Sequence, residues 1–232
     1  MSTPFISLAG ISKIYGEGAA AVRALDDVSL NVQQGEFVAM MGSSGSGKST
    51  CLNILGCIDV PTTGSYLFED VRIESLTRNQ RAIVRRHFIG FIFQGFNLLN
   101  RTSAIENVEL PLIYQQVPSK KRRLLAQQAL ASVGLDKWAN HRPSELSGGQ
   151  QQRVAVARAI VGKPRVLLAD EPTGNLDSAR SMEIMEMLTG FNREEGITII
   201  MVTHEQEMAH YAQRRIVFQD GCVISDSADQ AN

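Results

Sequence analysis

The chain has little of what marks a membrane-spanning, exported or nucleic-acid-binding protein. Its 232 residues contain no apolar run close to the roughly 20 residues that a transmembrane helix needs. Residues 1–10 lack the basic segment and apolar core of a secretory leader, so we expect a soluble chain. Basic and acidic residues nearly balance, at 23 against 24. That balance leaves no electrostatic footprint for nucleic acid, and we predict no nucleic-acid partner.

Cysteine is also scarce, and the sequence shows no internal repeat, long linker or low-complexity segment. The three cysteines, Cys51, Cys57 and Cys222, have neither metal-ligand spacing nor the even number of a disulfide framework. We interpret them as small buried hydrophobic residues in a reducing cytosol. Hydrophobic residues make up 44% of the chain, enough for a substantial core. We therefore predict one domain over residues 1–232.

Three apolar runs of strand length end abruptly in a glycine or a polar residue. They cover residues 37–41, 166–169 and 197–202. Helical patterns follow or separate these runs, over residues 49–57, 178–193 and 205–211. The alternation predicts an α/β fold with a parallel sheet. Because ligands bind outside the carboxyl ends of such strands, we expect Gly42, Asp170 and His204 to meet in one crevice.

The middle of the sequence has a different pattern. Residues 77–87 and 120–133 predict helices with basic faces, separated by a stretch rich in leucine and asparagine over residues 96–111. We predict a mainly helical insert over residues 94–161, between two parts of a core at residues 1–93 and 162–232. The polar end, residues 225–232, is expected to fray.

A glycine-rich phosphate loop lies between the first predicted strand and a helix. Its backbone N–H groups can turn toward an anion, the helix start adds a favourable dipole, and Lys48 neutralises phosphate charge. The Ser49 hydroxyl suits Mg²⁺. We assign the phosphates to Gly42, Ser43, Ser44, Gly45, Ser46, Gly47, Lys48, Ser49 and Thr50.

Two carboxylates end the second predicted strand. Asp170 lies where it can bind Mg²⁺ together with Ser49, directly or through water. Glu171 follows it and is suited to orient or deprotonate the attacking water, so we predict that it is the catalytic base. The alternative is that both residues only cap a turn into Pro172. The phosphate loop favours the catalytic interpretation.

Residues Leu146, Ser147, Gly148, Gly149 and Gln150 resemble the signature of ABC ATPases. The resemblance covers essentially the whole chain in the family's order: Tyr15, the phosphate loop, Gln94, the signature, Asp170 with Glu171, residues 175–177 and His204. It implies an ABC ATPase cassette of the P-loop NTPase class. Such a cassette has a RecA-like core with a mostly parallel sheet, an antiparallel β subdomain and a helical subdomain.

The resemblance also implies roles for single residues. Tyr15 would stack on adenine, Gln94 would contact Mg²⁺ and the attacking water, and His204 would contact the γ-phosphate. A different set would bind the γ-phosphate held by a second copy, from the start of a helix: Ser147, Gly148, Gly149 and Gln150. Asp177 would communicate between the sites. ATP and Mg²⁺ are the implied cofactors, in a head-to-tail dimer with two ATP molecules between its chains.

Three segments resemble one branch of the family, that of macrolide exporters and lipoprotein-release ATPases. They are residues 90–94, 107–111 and 172–178. This branch implies a cassette at the cytoplasmic face of the inner membrane, driving a separate permease that works with a periplasmic fusion protein. We expect the permease to dock near Gln94. Phe96, Leu98 and Leu99 either help to form an apolar groove that receives a permease helix or pack the core of the insert itself, and the sequence leaves both interpretations open.

Other functions remain as alternatives. Within the family, these are a cell-division ATPase that regulates a periplasmic wall hydrolase, a soluble non-transport ATPase, and an inactive cassette. Outside it, a GTPase or small-molecule kinase would share the phosphate loop, but neither accounts for residues 146–150 and no guanine-reading motif is present. We predict an active ATPase whose transported substrate is not encoded in this chain.

Overall fold

The computed structural model describes residues 4–228 and contains two β-sheets, seven α-helices and three short 3-10 helices. The strands are β1 (Ile6–Tyr15), β2 (Val22–Val32), β3 (Phe37–Met41), β4 (Thr63–Phe68), β5 (Val71–Arg72), β6 (Ile89–Phe93), β7 (Val166–Asp170), β8 (Thr198–Val202), β9 (Arg214–Gln219) and β10 (Cys222–Asp226). The helices are α1 (Lys48–Leu55), α2 (Arg78–Phe88), α3 (Ala104–Tyr114), α4 (Ser119–Ser132), α5 (Gly148–Ile160), α6 (Ser178–Glu195) and α7 (Gln206–Ala209).

The larger sheet has the strand order β10-β9-β3-β8-β7-β6. All neighbours pair in parallel except β9 and β10, which form an antiparallel hairpin. Strands β3, β7 and β8 are buried along nearly their whole length, as continuous apolar runs in a covered parallel sheet must be. The three predicted strands are therefore confirmed, and their carboxyl ends lie at one edge.

The smaller sheet is antiparallel, with the order β2-β1-β4-β5. Its buried face includes Ile6, Leu8 and Ile11, which belong to the same hydrophobic cluster as Ile54 of α1. Cys51 and Cys57 lie in this cluster too, and burial raises the pKa of the Cys51 thiol to about 12. This sheet is the antiparallel part that the family resemblance implied, so the predicted fold class is confirmed.

Helices α3, α4 and α5 pack against one another within the predicted insert. They contribute Val108, Leu130 and Val154 to a hydrophobic cluster that continues into the larger sheet. The stretch expected merely to separate two helices contains the start of α3, where Ser103 and Glu106 form a reciprocal N-terminal cap. The insert boundaries at residues 94 and 161 remain a prediction.

The expected fraying of residues 225–232 is wrong at its beginning. Ser225 and Asp226 belong to β10, and Asp226 forms a part-buried ion pair with Arg214 of β9. Residues 229–232 lie outside the described part of the chain. Within residues 4–228, no helix has the length and apolar character needed to cross a bilayer.

Close packing between β6 and α5 depends on Gly90. A Cβ at this position would lie 2.4 Å from the carbonyl oxygen of Ala159. We expect Gly90→Ala to lower the free energy of unfolding by about 1–3 kcal/mol, since overpacking forces strand and helix apart. Urea unfolding would measure it.

A matched substitution tests whether packing is the cause. In the middle of α6, a Cβ at Gly190 would meet no atom within 4 Å. Gly190→Ala should therefore raise the free energy of unfolding by about 0.5–1 kcal/mol, because alanine favours the helix. Equal effects of the two substitutions would contradict the packing argument.

Candidate active site

The phosphate loop, between β3 and α1, contains two glycines whose conformation and surroundings exclude a side chain. Gly42 has φ 143° and Gly47 has φ 103°, a region that favours glycine. A Cβ at Gly42 would lie 2.2 Å from the carbonyl oxygen of Phe218, and a Cβ at Gly47 would lie 2.6 Å from that of Ala24. Both glycines are therefore required by conformation and by close approach.

Lys48 is the first residue of α1, and its side chain turns back into the loop. The residue is 6% exposed. Its Nζ donates to the carbonyls of Gly42 at 2.9 Å and Ser43 at 2.6 Å, and to the Ser46 hydroxyl at 3.2 Å. Burial lowers the pKa of the Lys48 ammonium, while the charges of Glu171 and Asp170 oppose that shift. A cation is thus held inside a loop suited to an anion.

Parallel pairing places Asp170 at the edge where the strands end. It lies opposite Phe93 on one side and Val202 on the other. Burial raises the pKa of the Asp170 carboxyl, and the neighbouring charge of Glu171 adds to the increase. Lys48 and a hydrogen bond with Ser49 lower it. Asp170 and Ser49 are therefore in contact, as their predicted shared role at Mg²⁺ requires.

The oxygen atoms of this pair fit Mg²⁺, which prefers hard oxygen ligands and keeps waters or phosphate oxygens in its shell. Among the described residues, no cluster of three or more His, Cys, Asp and Glu side chains is arranged to hold a metal. A single carboxylate with a hydroxyl agrees with an ion bound jointly by protein and nucleotide. Ser49 and Asp170 would be its ligands in this chain.

Glu171 and His204 are paired. His204 Nδ1 lies 2.9 Å from Glu171 Oε1, with the glutamate side chain 24% exposed and the imidazole 58% exposed. Glu171 has φ 46°, a left-handed conformation that is uncommon for residues other than glycine. Each of them follows a strand of the larger sheet, so the predicted base and the predicted γ-phosphate contact are brought together.

Most of the predicted phosphate-binding and catalytic residues line one cavity of about 630 Å³, although Ser46 and Asp170 are not part of its lining. It contains Gly42, Ser43, Ser44, Gly45, Gly47, Lys48, Ser49, Thr50, Glu171 and His204. Sequence analysis missed Val22, Arg23 and Ala24 of β2, which complete the lining. No motif marks them, because they come from the smaller sheet and approach the loop only in the folded chain.

Tyr15 is at the end of β1 and does not line this cavity. Its hydroxyl donates to Asp59 Oδ2 at 2.8 Å, and Lys13 Nζ lies 4.8 Å from the ring centroid. Burial and the Asp59 carboxylate raise the pKa of the Tyr15 hydroxyl. The ring is anchored at its polar end and 41% exposed, which leaves a surface for stacking.

Gln94 follows β6 directly and is exposed. Its carbonyl accepts a hydrogen bond from Asn175 Nδ2 at 2.7 Å, and a Cβ at Gly174 would lie 2.7 Å from its Nε2. Gln94 therefore contacts the loop after Glu171, although it does not line the phosphate-loop cavity. Its predicted contact with Mg²⁺ remains a prediction.

The signature lies in a separate depression, at the start of α5. Ser147 caps the helix in a reciprocal pair with Gln150, at 2.9 and 3.3 Å. The depression is lined by Ser147, Gly149, Gln150, Arg153, Arg180 and four further residues. Asp177 caps α6 and pairs with Arg180 at 3.2 Å. None of the four signature residues Ser147–Gln150 lines the phosphate-loop cavity.

Comparison with known proteins assigns this combination of fold and site to a class. A family model described as ABC transporter matches residues 25–174. An uncharacterized ABC transporter ATP-binding protein of Methanocaldococcus jannaschii is 50% identical over 219 residues, covering 94% of this chain and 97% of that protein. The chain belongs to the ABC transporter family and is an ATP-binding ATPase cassette of it.

A second relative is much longer. The macrolide export ATP-binding/permease protein MacB of Azoarcus sp. is 48% identical over 224 residues, which are 97% of this chain but 34% of that protein. The chain thus corresponds to about a third of the length of these macrolide-export relatives. The resemblance to the macrolide-export branch is confirmed.

Solved structures agree with the fold. A dimeric ATP-binding cassette in a post-hydrolysis state, bound to ADP and Pi, superimposes with a TM-score of 0.89 and 44% identity, covering 95% of this chain and 97% of that one. A second dimeric structure of the same cassette gives a TM-score of 0.88 at the same identity. Both structures are dimeric, and one of them holds ADP and Pi.

The pKa of the Asp170 carboxyl is raised in the folded state. At any pH at which this group is ionised, it therefore lowers the free energy of unfolding. We expect Asp170→Asn to raise the Tm of the nucleotide-free protein at neutral pH by about 2 °C. The gain should shrink as the pH falls from the raised folded-state pKa toward the ordinary carboxyl value, because wild-type Asp170 then becomes protonated. Thermal unfolding from about pH 4, close to the ordinary pKa of a carboxyl, to about pH 8, well above it, would measure the change.

Asp177→Asn is the matched control. Asp177 is half-exposed and caps α6, and asparagine caps a helix about as well. Its Tm should stay near the wild-type value across the same pH range. A gain for Asp170→Asn that did not change with pH would contradict the electrostatic cause.

Proposed function

We propose that two copies of this chain close head to tail around two ATP molecules, and that hydrolysis drives a membrane permease of the macrolide-export type. The separation of two anion-binding features carries the proposal. The phosphate loop and Glu171 share one cavity, whereas Ser147 and Gly149 line another. A single chain therefore presents two incomplete halves, and a second copy supplies the complement of each.

The residues at and around the phosphate loop have distinct roles in this proposal. The loop amides and Lys48 bind the β- and γ-phosphates, and Tyr15 stacks on the adenine. Glu171 accepts the proton of the attacking water, while His204 holds the glutamate carboxylate and contacts the γ-phosphate. The bond of 2.9 Å between His204 and Glu171 supports this pairing.

Mg²⁺ would be held by Ser49 and Asp170, with Gln94 completing the site. When bound, the ion neutralises charge that develops on the phosphates. In the nucleotide-free chain, burial and the charge of Glu171 raise the pKa of the Asp170 carboxyl, and a cation at that position would offset both by favouring the ionised form. Gln94 lies where the chain leaves β6 for the helical part, and it also contacts the core loop that contains Gly174 and Asn175. It would therefore join the ion to both.

The signature half would act on the nucleotide of the other copy. Ser147, Gly148, Gly149 and Gln150 form the first turn of α5 and its cap. The cap uses the Ser147 and Gln150 amides, which leaves the helix dipole and the amides of Gly148 and Gly149 to favour an anion. Asp177, at the start of α6, is close enough to pair with Arg180, which also packs against Gly149. This contact supports a role for Asp177 in communication between the sites.

A groove of about 230 Å³ lies between the core and the helical part of the chain. Its lining includes Phe91, Phe93, Pro111, Gln115 and Arg158. We propose that a cytoplasmic segment of the permease docks here, with the cassette at the cytoplasmic face of the inner membrane and a periplasmic fusion protein beyond it.

The groove differs from the surface expected from sequence. Phe96, Leu98 and Leu99 do not line it. Leu98 packs against the hydrophobic core, and the carbonyl of Phe96 accepts a hydrogen bond from Arg158 at 2.8 Å. Leu99 is 49% exposed, outside the groove.

The macrolide-export relatives favour transport over the alternatives. A cell-division complex would use the same cassette and the same groove, so the permease that copurifies must distinguish the two. A soluble ATPase of the family would bring no membrane protein. Identity near 48% to several macrolide-export proteins supports the first of these functions.

Glu171→Gln tests the catalytic proposal. The substitution keeps the volume but removes the base, so the ATPase kcat should fall by about 100-fold or more while ATP binding persists. Steady-state ATPase assays and size-exclusion chromatography with ATP and Mg²⁺ would measure turnover and a stable closed dimer. Normal turnover of this variant would show that Glu171 is not the base.

His87→Glu tests the groove. His87 is exposed and lines the groove, so a charge there should reduce copurification of the permease several-fold while leaving the ATPase activity of the isolated cassette unchanged. Leu99→Glu, exposed but outside the groove, is the matched control and should leave copurification intact. Loss with Leu99→Glu alone would favour the surface expected from sequence.

A further inference from the structure

The backbone around Glu171 and Pro172 is held at three points. The Glu171 N–H donates to the Val202 carbonyl at 3.0 Å, and the Gly174 N–H donates to the Glu171 carbonyl at 3.2 Å. The third bond comes from a side chain, since Gln152 Nε2 donates to the Pro172 carbonyl at 2.5 Å. The first two bonds belong to the core sheet and to the loop itself. Gln152 lies instead on α5, the helix that begins at the signature.

This segment needs such support because Glu171 has φ 46°. A left-handed conformation is unfavourable for a residue with a Cβ and persists when the surroundings over-determine it. Pro172 has no backbone N–H, so its carbonyl is the one backbone polar group through which it can be held. Gln152 uses that group, one residue beyond the strained glutamate.

Gln152 itself is fully buried. Its amide orientation is fixed by chemistry, because a carbonyl can only accept and the nitrogen must therefore face Pro172. Its Oε1 is buried and has no hydrogen-bond partner among the described residues. An unpaired buried acceptor is costly.

Packing alone does not explain an amide at this position. An apolar side chain of similar size would fill the same space without burying an unpaired oxygen. What glutamine adds is the bond to Pro172.

We infer that Gln152 is a positioning residue for ATP hydrolysis: by holding the Pro172 carbonyl, it keeps Glu171 in its left-handed conformation with the carboxylate toward the phosphate loop. The inference rests on the proposed role of Glu171 as the base. It gives the signature helix a direct connection to the base of the same chain. The carboxylate does the chemistry, and Gln152 acts through the backbone.

Gln152→Met is the first test, since methionine keeps the length of the side chain and removes the donor. We expect kcat for ATP to fall about tenfold, the effect on a rate of one hydrogen bond of ordinary net strength, with KM changed less than about twofold. Gln151→Met is the matched control, because Gln151 is the adjacent residue and its amide bonds to the Leu146 carbonyl at 3.1 Å. Unchanged kcat in folded Gln152→Met would overturn the inference.

Gln152→Glu supplies a readout that a packing role would not change. A protonated glutamic acid can donate to the Pro172 carbonyl, whereas the carboxylate cannot and repels it. The ratio of its kcat to that of the wild type should therefore rise as the pH falls. This test follows the same variant, relative to the wild type, as the pH changes. It therefore holds even if Gln152→Met fails to fold. A ratio independent of pH would overturn the inference.

Mixed dimers show whether Gln152 acts on the base of its own chain or through the signature on the nucleotide of the other chain. Two differently tagged copies are purified together, with Glu171→Gln in one copy, so that one site alone can hydrolyse ATP. The active site then combines Glu171 of the intact copy with the signature of the Glu171→Gln copy. Gln152→Met is placed either in the copy with the intact base or in the copy that supplies the signature. Single-turnover hydrolysis should slow about tenfold in the first arrangement and stay unchanged in the second. Slowing in the second arrangement alone would overturn the inference, because Gln152 would then act through Ser147.

The experiments separate a failure of the Gln152 inference from a failure of the proposed role of Glu171. Uniform Glu171→Gln dimers are measured first, and normal turnover there would overturn the role of Glu171 itself. Loss of turnover in Glu171→Gln together with normal turnover in Gln152→Met would overturn the Gln152 inference alone.

Discussion

The burial of the Lys48 ammonium is the interaction on which the nucleotide site depends. A charge that is largely removed from water must be compensated, and here three oxygen atoms of the loop accept its hydrogen bonds. Those contacts require the loop to wrap tightly around the lysine, which the positive φ angles of Gly42 and Gly47 allow. The carboxylates of Asp170 and Glu171 favour the charged form of the lysine. Fold, loop and acidic residues are therefore linked through one cation.

Parallel strand pairing brings residues that are far apart in the sequence next to one another at this site. Phe93, Asp170 and Val202 are neighbours across three strands, so Gln94, Glu171 and Thr203 continue from the same edge. Register matters here because a shift of one residue in β7 would point the Asp170 side chain to the opposite face.

Much of this arrangement could be predicted from sequence, where local patterns are strong. The apolar runs before Gly42 and Asp170 identified buried strands, and the signature residues identified the family. Contacts between distant segments were missed: Ala24 approaches the phosphate loop from another sheet, and Asp59 holds Tyr15 across 44 positions. The sequence could not decide whether Leu98 faces a permease or the protein's own core, because hydrophobicity alone does not say which way a side chain points. The structure buries it partly against that core.

The position of Gln152 bears on how two sites in a dimer could respond to each other. Helix α5 begins at Ser147, which we propose faces the nucleotide of the second copy, and it reaches Pro172 through the Gln152 amide less than two turns later. A helix is stiff over that length, so a displacement of its first turn by a phosphate would move the amide as well. Glu171 adopts a strained conformation one residue from that contact, where a small displacement changes the direction of its side chain. Binding at one site would thus adjust the base at the other, because Ser147 and Gln152 belong to a single rigid element.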